Sequence, residues 1–138
     1  RAAEHVGIDN VCVIGARAMG IEELEHEQPV PFVSSYEVLE KGIENVIGSV
    51  LDSLKNEKVY LTLDIDGIDP AYAPGTGTPE PFGLNPMDVK KIINAVGDRL
   101  CGFDVMEVCP PYDPTGITAI LASRFVNEAI AVHGKSLR

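Results

Sequence analysis

VYLTLDIDGIDP, at residues 59–70, contains the clearest indication of the fold in this sequence. Its first five residues are rich in β formers and have the length of a buried strand. The acidic pair Asp64 and Asp66 follows at once, and residues 67–86 then hold seven prolines or glycines before Gly83. A loop of that length inside a compact domain is usually functional. The stretch therefore predicts a buried strand whose carboxyl end carries acidic side chains beside a functional loop.

Upstream of this strand, the sequence predicts another strand and a helix. Residues 11–15 (VCVIG) form a short apolar run bounded by turn formers, which is typical of a buried parallel strand. Residues 38–55 carry apolar side chains at helical spacing, and Ser34 or Ser35 is placed to cap that helix. Residues 22–27, with four glutamates, are expected to form a solvated loop or a short helix.

Downstream, the sequence predicts two helices around a third strand. Asn85 is a typical N-cap, and Pro86 suits the first position of a helix that should reach about residue 96. Residues 102–108 (GFDVMEV) predict a strand that two prolines end, and residues 115–132 predict a last helix. The order β-α-β-loop-α-β-α predicts one α/β domain over residues 1–138. We expect a three-layer αβα arrangement with a mostly parallel sheet.

Composition limits the classes of partner. The chain has 138 residues and a net charge of −10, so it lacks the basic surface that nucleic-acid binding or an anionic membrane requires. No stretch approaches the roughly 18 apolar residues of a membrane span. The cysteines Cys12, Cys101 and Cys109 form no C-x-x-C pair, so we expect buried free thiols in a reducing cytosol. Because the chain begins at Arg1 without an initiator Met, we expect it to be part of a longer protein.

The acidic residues at the predicted strand ends indicate a metal site. Ligands of open α/β sheets bind at the carboxyl ends of strands, where Asp64, Asp66 and Glu107 lie. Side chains at positions i and i+2 of a strand point to one face, about 6.5–7 Å apart, so Asp64 and Asp66 are expected to reach one cluster of cations. Carboxylate oxygens select hard cations such as Mg²⁺, Mn²⁺ or Ca²⁺.

Other sites that use a strand-end or loop aspartate can be compared with the sequence. An EF-hand loop starting at Asp64 requires glycine at its sixth and glutamate at its twelfth position, where Asp69 and Gly75 stand. Neither the G-x-x-x-x-G-K-[ST] motif of P-loop proteins nor the G-x-S-x-G motif of serine hydrolases occurs. A D-x-D pair also occurs as exposed strand-end acids in a metal-free domain, and that alternative stays open.

Three segments together resemble the ureohydrolase (arginase/agmatinase) family. They are DIDGIDP at residues 64–70, APGTGTP at 73–79 and MEVCP at 106–110. The resemblance covers essentially the whole chain. It implies an arginase/deacetylase-like αβα fold of which the C-terminal half is present, and a hydrolase that converts a small cationic guanidino substrate into urea and an amine.

The resemblance also implies roles for individual residues. Asp64 is expected to bridge two manganese ions and Asp66 to hold the second of them. Glu107 is expected to act in catalysis with Asp64 by gripping the substrate guanidinium, and Thr78 to lie beside the cluster and contact the substrate. Asp69 is expected to brace the loop.

Asp104 resembles a supporting acid of the strand that carries Glu107, and a purely structural role for it stays open.

Agmatine is the expected substrate. Residues 14–17 (IGAR) are followed by AMG, without the aspartate with which arginases recognise the α-amino group. Residues 110–119 (PPYDPTGITA) also look agmatinase-like. Arginase, guanidinobutyrase and formiminoglutamase activities remain alternatives, as does a catalytically degenerate homologue that acts as a binding subunit.

The sequence departs from the family pattern in its histidines. The family takes further ligands from F-G-G-D-H and D-A-H-x-D motifs, which do not occur here, and His5, His26 and His133 stand in other contexts, where we expect surface residues. We therefore expect the 138-residue chain to be inactive and poorly soluble by itself. We expect the full-length protein to be a cytoplasmic homo-oligomer that acts in polyamine biosynthesis.

Overall fold

A computed structural model describes residues 2–21, 25 and 29–136 of the chain. The chain divides into two compact units, Arg1–Glu57 and Lys58–Arg138, each with its own pair of parallel strands. None of the helices in the described part of the chain has the length and hydropathy of a membrane-spanning segment. The predicted loop or helix at residues 22–27 lies outside the described residues except for Glu25.

Among the residues that the structure describes, the first unit has two strands and three helices of five or more residues. They are α1 (Ala2–Val6), β1 (Val13–Ala16), β2 (Phe32–Ser34), α2 (Ser35–Lys41) and α3 (Ile43–Ser53). Strands β1 and β2 are parallel, with Val13 opposite Phe32. The sequence predicted β1 but not β2, because the prolines at positions 29 and 31 obscure so short a strand.

The helix predicted over residues 38–55 is divided in two. Ser34 caps α2 with a capping box, since its hydroxyl accepts the Glu37 N–H (3.2 Å) and the Glu37 carboxylate accepts the Ser34 N–H (3.1 Å). Gly42 then adopts φ 79°, which ends α2 and starts α3. The apolar spacing gave no sign of this break, because the buried side chains of both helices follow one helical period.

The second unit contains β3 (Val59–Asp64), α4 (Pro86–Val96), β4 (Leu100–Met106) and α5 (Ile117–Ser136). Strand β3 matches the strand predicted at residues 59–63, but its side chains alternate between half-buried and exposed, so the expectation of a buried strand is wrong. Strands β3 and β4 are parallel, with Leu61 opposite Phe103 and Asp64 opposite Met106. Asn85 caps α4, as predicted, by accepting the N–H groups of Met87 and Asp88. Helices α4 and α5 contact each other, and α5 also contacts β4.

The predicted loop between β3 and α4 is confirmed. Between the 3-10 turn Ile65–Gly67 and α4, the chain has only isolated bridges, which pair Ile68 with Leu84 and Thr76 with Val108. Ile65 and Ile68 are 0% and 1% exposed, so the start of the loop is fixed in the core. Core side chains of the second unit also come from α4, β4 and α5. They include Val89, Ile93, Val96, Leu100, Ala122, Phe125, Ala129 and Val132.

The cysteines are free, as predicted, but they are not all buried. Cys12 and Cys109 are half-buried, whereas Cys101 is exposed. Leu100 is buried, and the alternation of side chains along β4 turns the next residue, Cys101, to the other face of the strand. The expectation of a buried thiol is therefore wrong for Cys101.

Candidate active site

Asp64 and Asp66 lie together at the carboxyl end of β3, but only Asp64 belongs to the strand. Asp66 is in the 3-10 turn Ile65–Gly67, and the Asp64 carboxylate accepts the Asp66 N–H at 3.3 Å. The expectation that both residues share one face of a strand is therefore wrong, because the Asp64 side chain caps a turn that ends the strand. Ile65 points into the core, which leaves both carboxylates on the outer side of the turn.

Negative charge accumulates at this turn. Partial burial raises the pKa of the Asp64 carboxyl above its usual value, and the neighbouring Asp66 charge raises it further. The Asp66 backbone N–H acts in the opposite direction, while the Glu107 carboxylate adds to the increase in the Asp64 pKa. Three acidic side chains therefore act on one small region, which a cation would stabilise.

Thr78 connects the long loop to this acidic turn. Its hydroxyl donates a hydrogen bond to the carboxylate of Asp66, twelve positions earlier in the chain. The Thr78 side chain is exposed and so can contact a small molecule as well. The contact with Asp66 places Thr78 beside the acidic pair, and its role toward a substrate stays a prediction.

Glu107 follows β4 directly and has an unusual backbone conformation. Its φ of 60° lies in the left-handed region, which L residues rarely adopt. The next residue, Val108, pairs with Thr76 of the loop, and the Cys109 N–H donates to the Gly75 carbonyl at 2.8 Å. A Cβ atom added at Gly77 would lie 4.0 Å from Glu107 Oε2, so the Glu107 carboxylate faces the loop.

Asp69 has contacts that indicate a structural role. Asp69 accepts the backbone N–H groups of Ala71 (2.9 Å), Phe82 (2.7 Å) and Gly83 (3.2 Å), so it joins the two ends of the loop. These contacts support the bracing role expected for Asp69.

Asp104 accepts hydrogen bonds from two hydroxyls of β3, Tyr60 at 2.7 Å and Thr62 at 2.6 Å. The bond to Asp104 raises the pKa of the Tyr60 phenol. These contacts tie β4 to β3, and of the two roles considered for Asp104 they favour the structural one.

The carboxylates at the turn are ligands of the type that binds metal ions, but they are too few to complete a metal site. Oxygen donors suit Mn²⁺ and Mg²⁺. Yet the described part of the chain contains no group of three or more histidine, cysteine, aspartate or glutamate side chains that could hold a metal ion. His5 and His133 are exposed, as expected, and His26 lies outside the described residues. The assignment of Asp64 and Asp66 as metal ligands therefore stays a prediction.

Asp113 and Thr118, for which the sequence predicts no role, lie against the loop. Gly75 approaches both so closely that an added Cβ would lie 2.4 Å from the Asp113 Cβ and 2.9 Å from the Thr118 hydroxyl oxygen. That hydroxyl accepts the Gly75 N–H at 2.8 Å. In the sequence, residues 110–119 resemble agmatinases, but this resemblance alone does not predict which residues Asp113 and Thr118 contact.

Comparison with known proteins identifies relatives over nearly the whole chain. The model of the arginase family matches residues 1–132. A guanidinobutyrase of Pseudomonas aeruginosa is 40% identical over 129 residues, which cover 90% of this chain and 40% of that protein. A mitochondrial agmatinase of Gallus gallus is 41% identical over 107 residues, which cover 77% of this chain and 32% of that protein.

A solved structure gives the same result for the fold. The agmatine ureohydrolase of Thermoplasma volcanium matches with a TM-score of 0.91 and 40% identity over 99% of this chain and 46% of that one. The expected arginase-like αβα fold is thereby confirmed. The chain spans less than half the length of these relatives. On the family match and these likenesses, the chain belongs to the arginase family of ureohydrolases.

Proposed function

We propose that the protein containing this chain hydrolyses a guanidino compound to urea and an amine with the help of two metal ions, and that agmatine is its substrate. One observation supports this more than any other. Four polar side chains from a span of 44 positions lie close together at the carboxyl ends of β3 and β4. They are Asp64, Asp66, Thr78 and Glu107. Ligands of α/β folds bind at such strand ends.

Asp64 and Asp66 would hold metal in this proposal. Enzymes of the arginase family generally use two metal ions, typically manganese. When bound, such ions supply a Lewis acid and lower the pKa of a coordinated water. The closeness of the two acids leaves negative charge that a cation would neutralise. The remaining ligands would come from the histidine- and aspartate-containing motifs that the resemblance implies.

Glu107 would bind the guanidinium group of the substrate. A guanidinium is planar and always charged, and a carboxylate can accept two of its N–H bonds at once. Glu107 is exposed and faces the loop, so its carboxylate is accessible to a small cation. Thr78 would contact the substrate from the side of the metal ligands, since its hydroxyl already reaches Asp66.

Agmatine is the proposed substrate, and 4-guanidinobutyrate is its main alternative. The absence of an aspartate after residues 14–17 favours a substrate without an α-amino acid group. Agmatine and 4-guanidinobutyrate both satisfy this condition, and the guanidinobutyrase relative covers 90% of the chain. Agmatine ends in an amine and 4-guanidinobutyrate in a carboxylate, so a direct comparison separates them. Assembly into homo-oligomers and a cytoplasmic location stay predictions from the sequence.

The test uses the complete protein, stripped of metal and then loaded with Mn²⁺. Urea release is measured with agmatine, 4-guanidinobutyrate and arginine, and formamide release with formiminoglutamate. We expect Mn-dependent turnover that is fastest with agmatine, lost in Asp64→Asn and strongly reduced in Glu107→Gln. Glu80→Gln, which changes an exposed carboxylate of the same loop, is the matched control. No turnover of any of the four compounds would favour a binding subunit instead.

A further inference from the structure

The loop and the segment after β4 are held together at their backbones. Thr76 and Val108 form an antiparallel bridge, and the Gly75 carbonyl accepts the Cys109 N–H at 2.8 Å. Glu107 immediately precedes this pairing and has the left-handed φ of 60°. A residue other than glycine keeps such a conformation only where its surroundings impose it. The pairing with the loop therefore helps to fix the direction of the Glu107 side chain.

Gly75 is fixed from its other side by the start of α5. Thr118 is the second residue of α5 and is 0% exposed, and its hydroxyl accepts the Gly75 N–H at 2.8 Å. Asp113 is also buried, and its carboxylate accepts the N–H of Ala119 at 2.9 Å, which fixes the first turn of that helix. The gap filled by Gly75 has no room for a side chain, since an added Cβ would overlap Asp113.

We propose that Thr118 is a positioning residue for Glu107 and Thr78. The chain of contacts runs from the Thr118 hydroxyl to the Gly75 N–H, and from the Gly75 carbonyl to the N–H of Cys109, two residues after Glu107. Thr78 follows Gly75 by three residues and donates to Asp66. The inference rests on the proposed function, because it assumes that Glu107 binds the guanidinium.

Thr118→Val removes the acceptor for the Gly75 N–H and keeps the volume of the side chain. A buried N–H that loses its partner destabilises the local structure. The loop is expected to shift, and the KM for agmatine should rise about tenfold or more as Glu107 loses its alignment. Bound manganese should stay the same, because the buried Ile65 fixes the turn that carries the metal ligands. Thr118→Ser keeps the hydroxyl and should restore the KM.

Thr76→Val is the matched control. Thr76 is 2% exposed and adjoins Gly75, but within the part of the chain that the structure describes, its buried hydroxyl oxygen has no hydrogen-bond partner. The substitution makes the same chemical change as Thr118→Val and keeps the backbone bridge between Thr76 and Val108. We expect its KM to stay within about twofold of the parent value, because no hydrogen bond is lost.

The experiment measures kcat, KM and manganese content of the complete protein and the three variants. The inference is overturned if Thr118→Val has the KM of Thr76→Val, or if Thr118→Ser fails to restore it. A parent that turns over no guanidino compound would instead contradict the proposed function. For that case, or if Thr118→Val does not fold, hydrogen exchange of the parent decides. The Gly75 and Cys109 amides should be protected, and unprotected rates would overturn the inference.

Discussion

Replacing Asp69 with alanine is expected to loosen the loop that carries Thr78. Asp69 accepts three backbone N–H groups, one from Ala71 and two from Phe82 and Gly83. Hydrogen bonds to charged groups contribute about 1.5–3 kcal/mol each when shielded and less when water reaches them. Asp69 is half-buried. About 1 kcal/mol for each of the three bonds gives a loss of roughly 3 kcal/mol in the free energy of unfolding.

Asparagine at the same position keeps one acceptor oxygen. Asp69→Asn can therefore preserve either the bond from Ala71 or the two bonds from Phe82 and Gly83. We expect it to lose about 1–2 kcal/mol, between the parent and Asp69→Ala. This graded loss distinguishes a bracing carboxylate from one that contributes only surface charge.

The assay is urea unfolding of the metal-free complete protein, together with hydrogen exchange. With 3 kcal/mol lost locally, the Phe82 and Gly83 amides should exchange about a hundredfold faster in Asp69→Ala, because each 1.36 kcal/mol is a factor of ten. Asp52→Ala, which changes an exposed carboxylate of α3, is the control and should leave both amides unchanged. A loss below about 0.5 kcal/mol with unchanged exchange would refute the bracing role.

Three other substitutions test separate parts of the structure by unfolding of the metal-free complete protein. The Asp64 pKa is raised in the folded state, so its contribution to stability is present below the unfolded pKa and lost as pH rises through the folded value. Asp64→Asn should therefore stabilise the metal-free protein at pH 7, and a destabilised variant would contradict this. Ile65→Ala should lose about 2–5 kcal/mol, against about 1 kcal/mol for Ile65→Val, because the side chain is fully buried; equal losses would mean that the site collapses without a cavity. Ser34→Ala should lose about 1 kcal/mol through its capping box, and an unchanged unfolding midpoint would show that the cap is dispensable.

Local sequence patterns predicted the elements that bring the site together. The β formers of residues 59–63 and the proline-rich loop after them predicted β3 and its irregular continuation, because both signals depend on neighbouring residues. Asn85 and Pro86 predicted the start of α4 for the same reason. The position of Glu107 near Asp64 also followed from sequence, since the carboxyl ends of parallel neighbours meet at one edge of a sheet.

Two details of the site were not predicted. One arises because a side chain competes for a backbone hydrogen bond, and the other because the two residues in contact are far apart in sequence. Asp64 was assigned to a strand that continues through Asp66, yet its side chain binds the Asp66 N–H and so favours a turn. The contact between Gly75 and Thr118 joins residues 43 positions apart, and no local pattern indicates which buried hydroxyl will meet which backbone N–H. Both unpredicted contacts lie at the candidate site, where side chains and backbone compete for the same hydrogen-bonding groups.

The left-handed backbone of Glu107 has a consequence for protein engineering. Glycine adopts this conformation without the steric penalty of about 1–2 kcal/mol that other residues carry. A library selected for thermostability alone would therefore enrich Glu107→Gly and would discard the one carboxylate proposed to bind the guanidinium. Heat-resistant variants of this chain should be screened for turnover at the same time, with position 107 held constant.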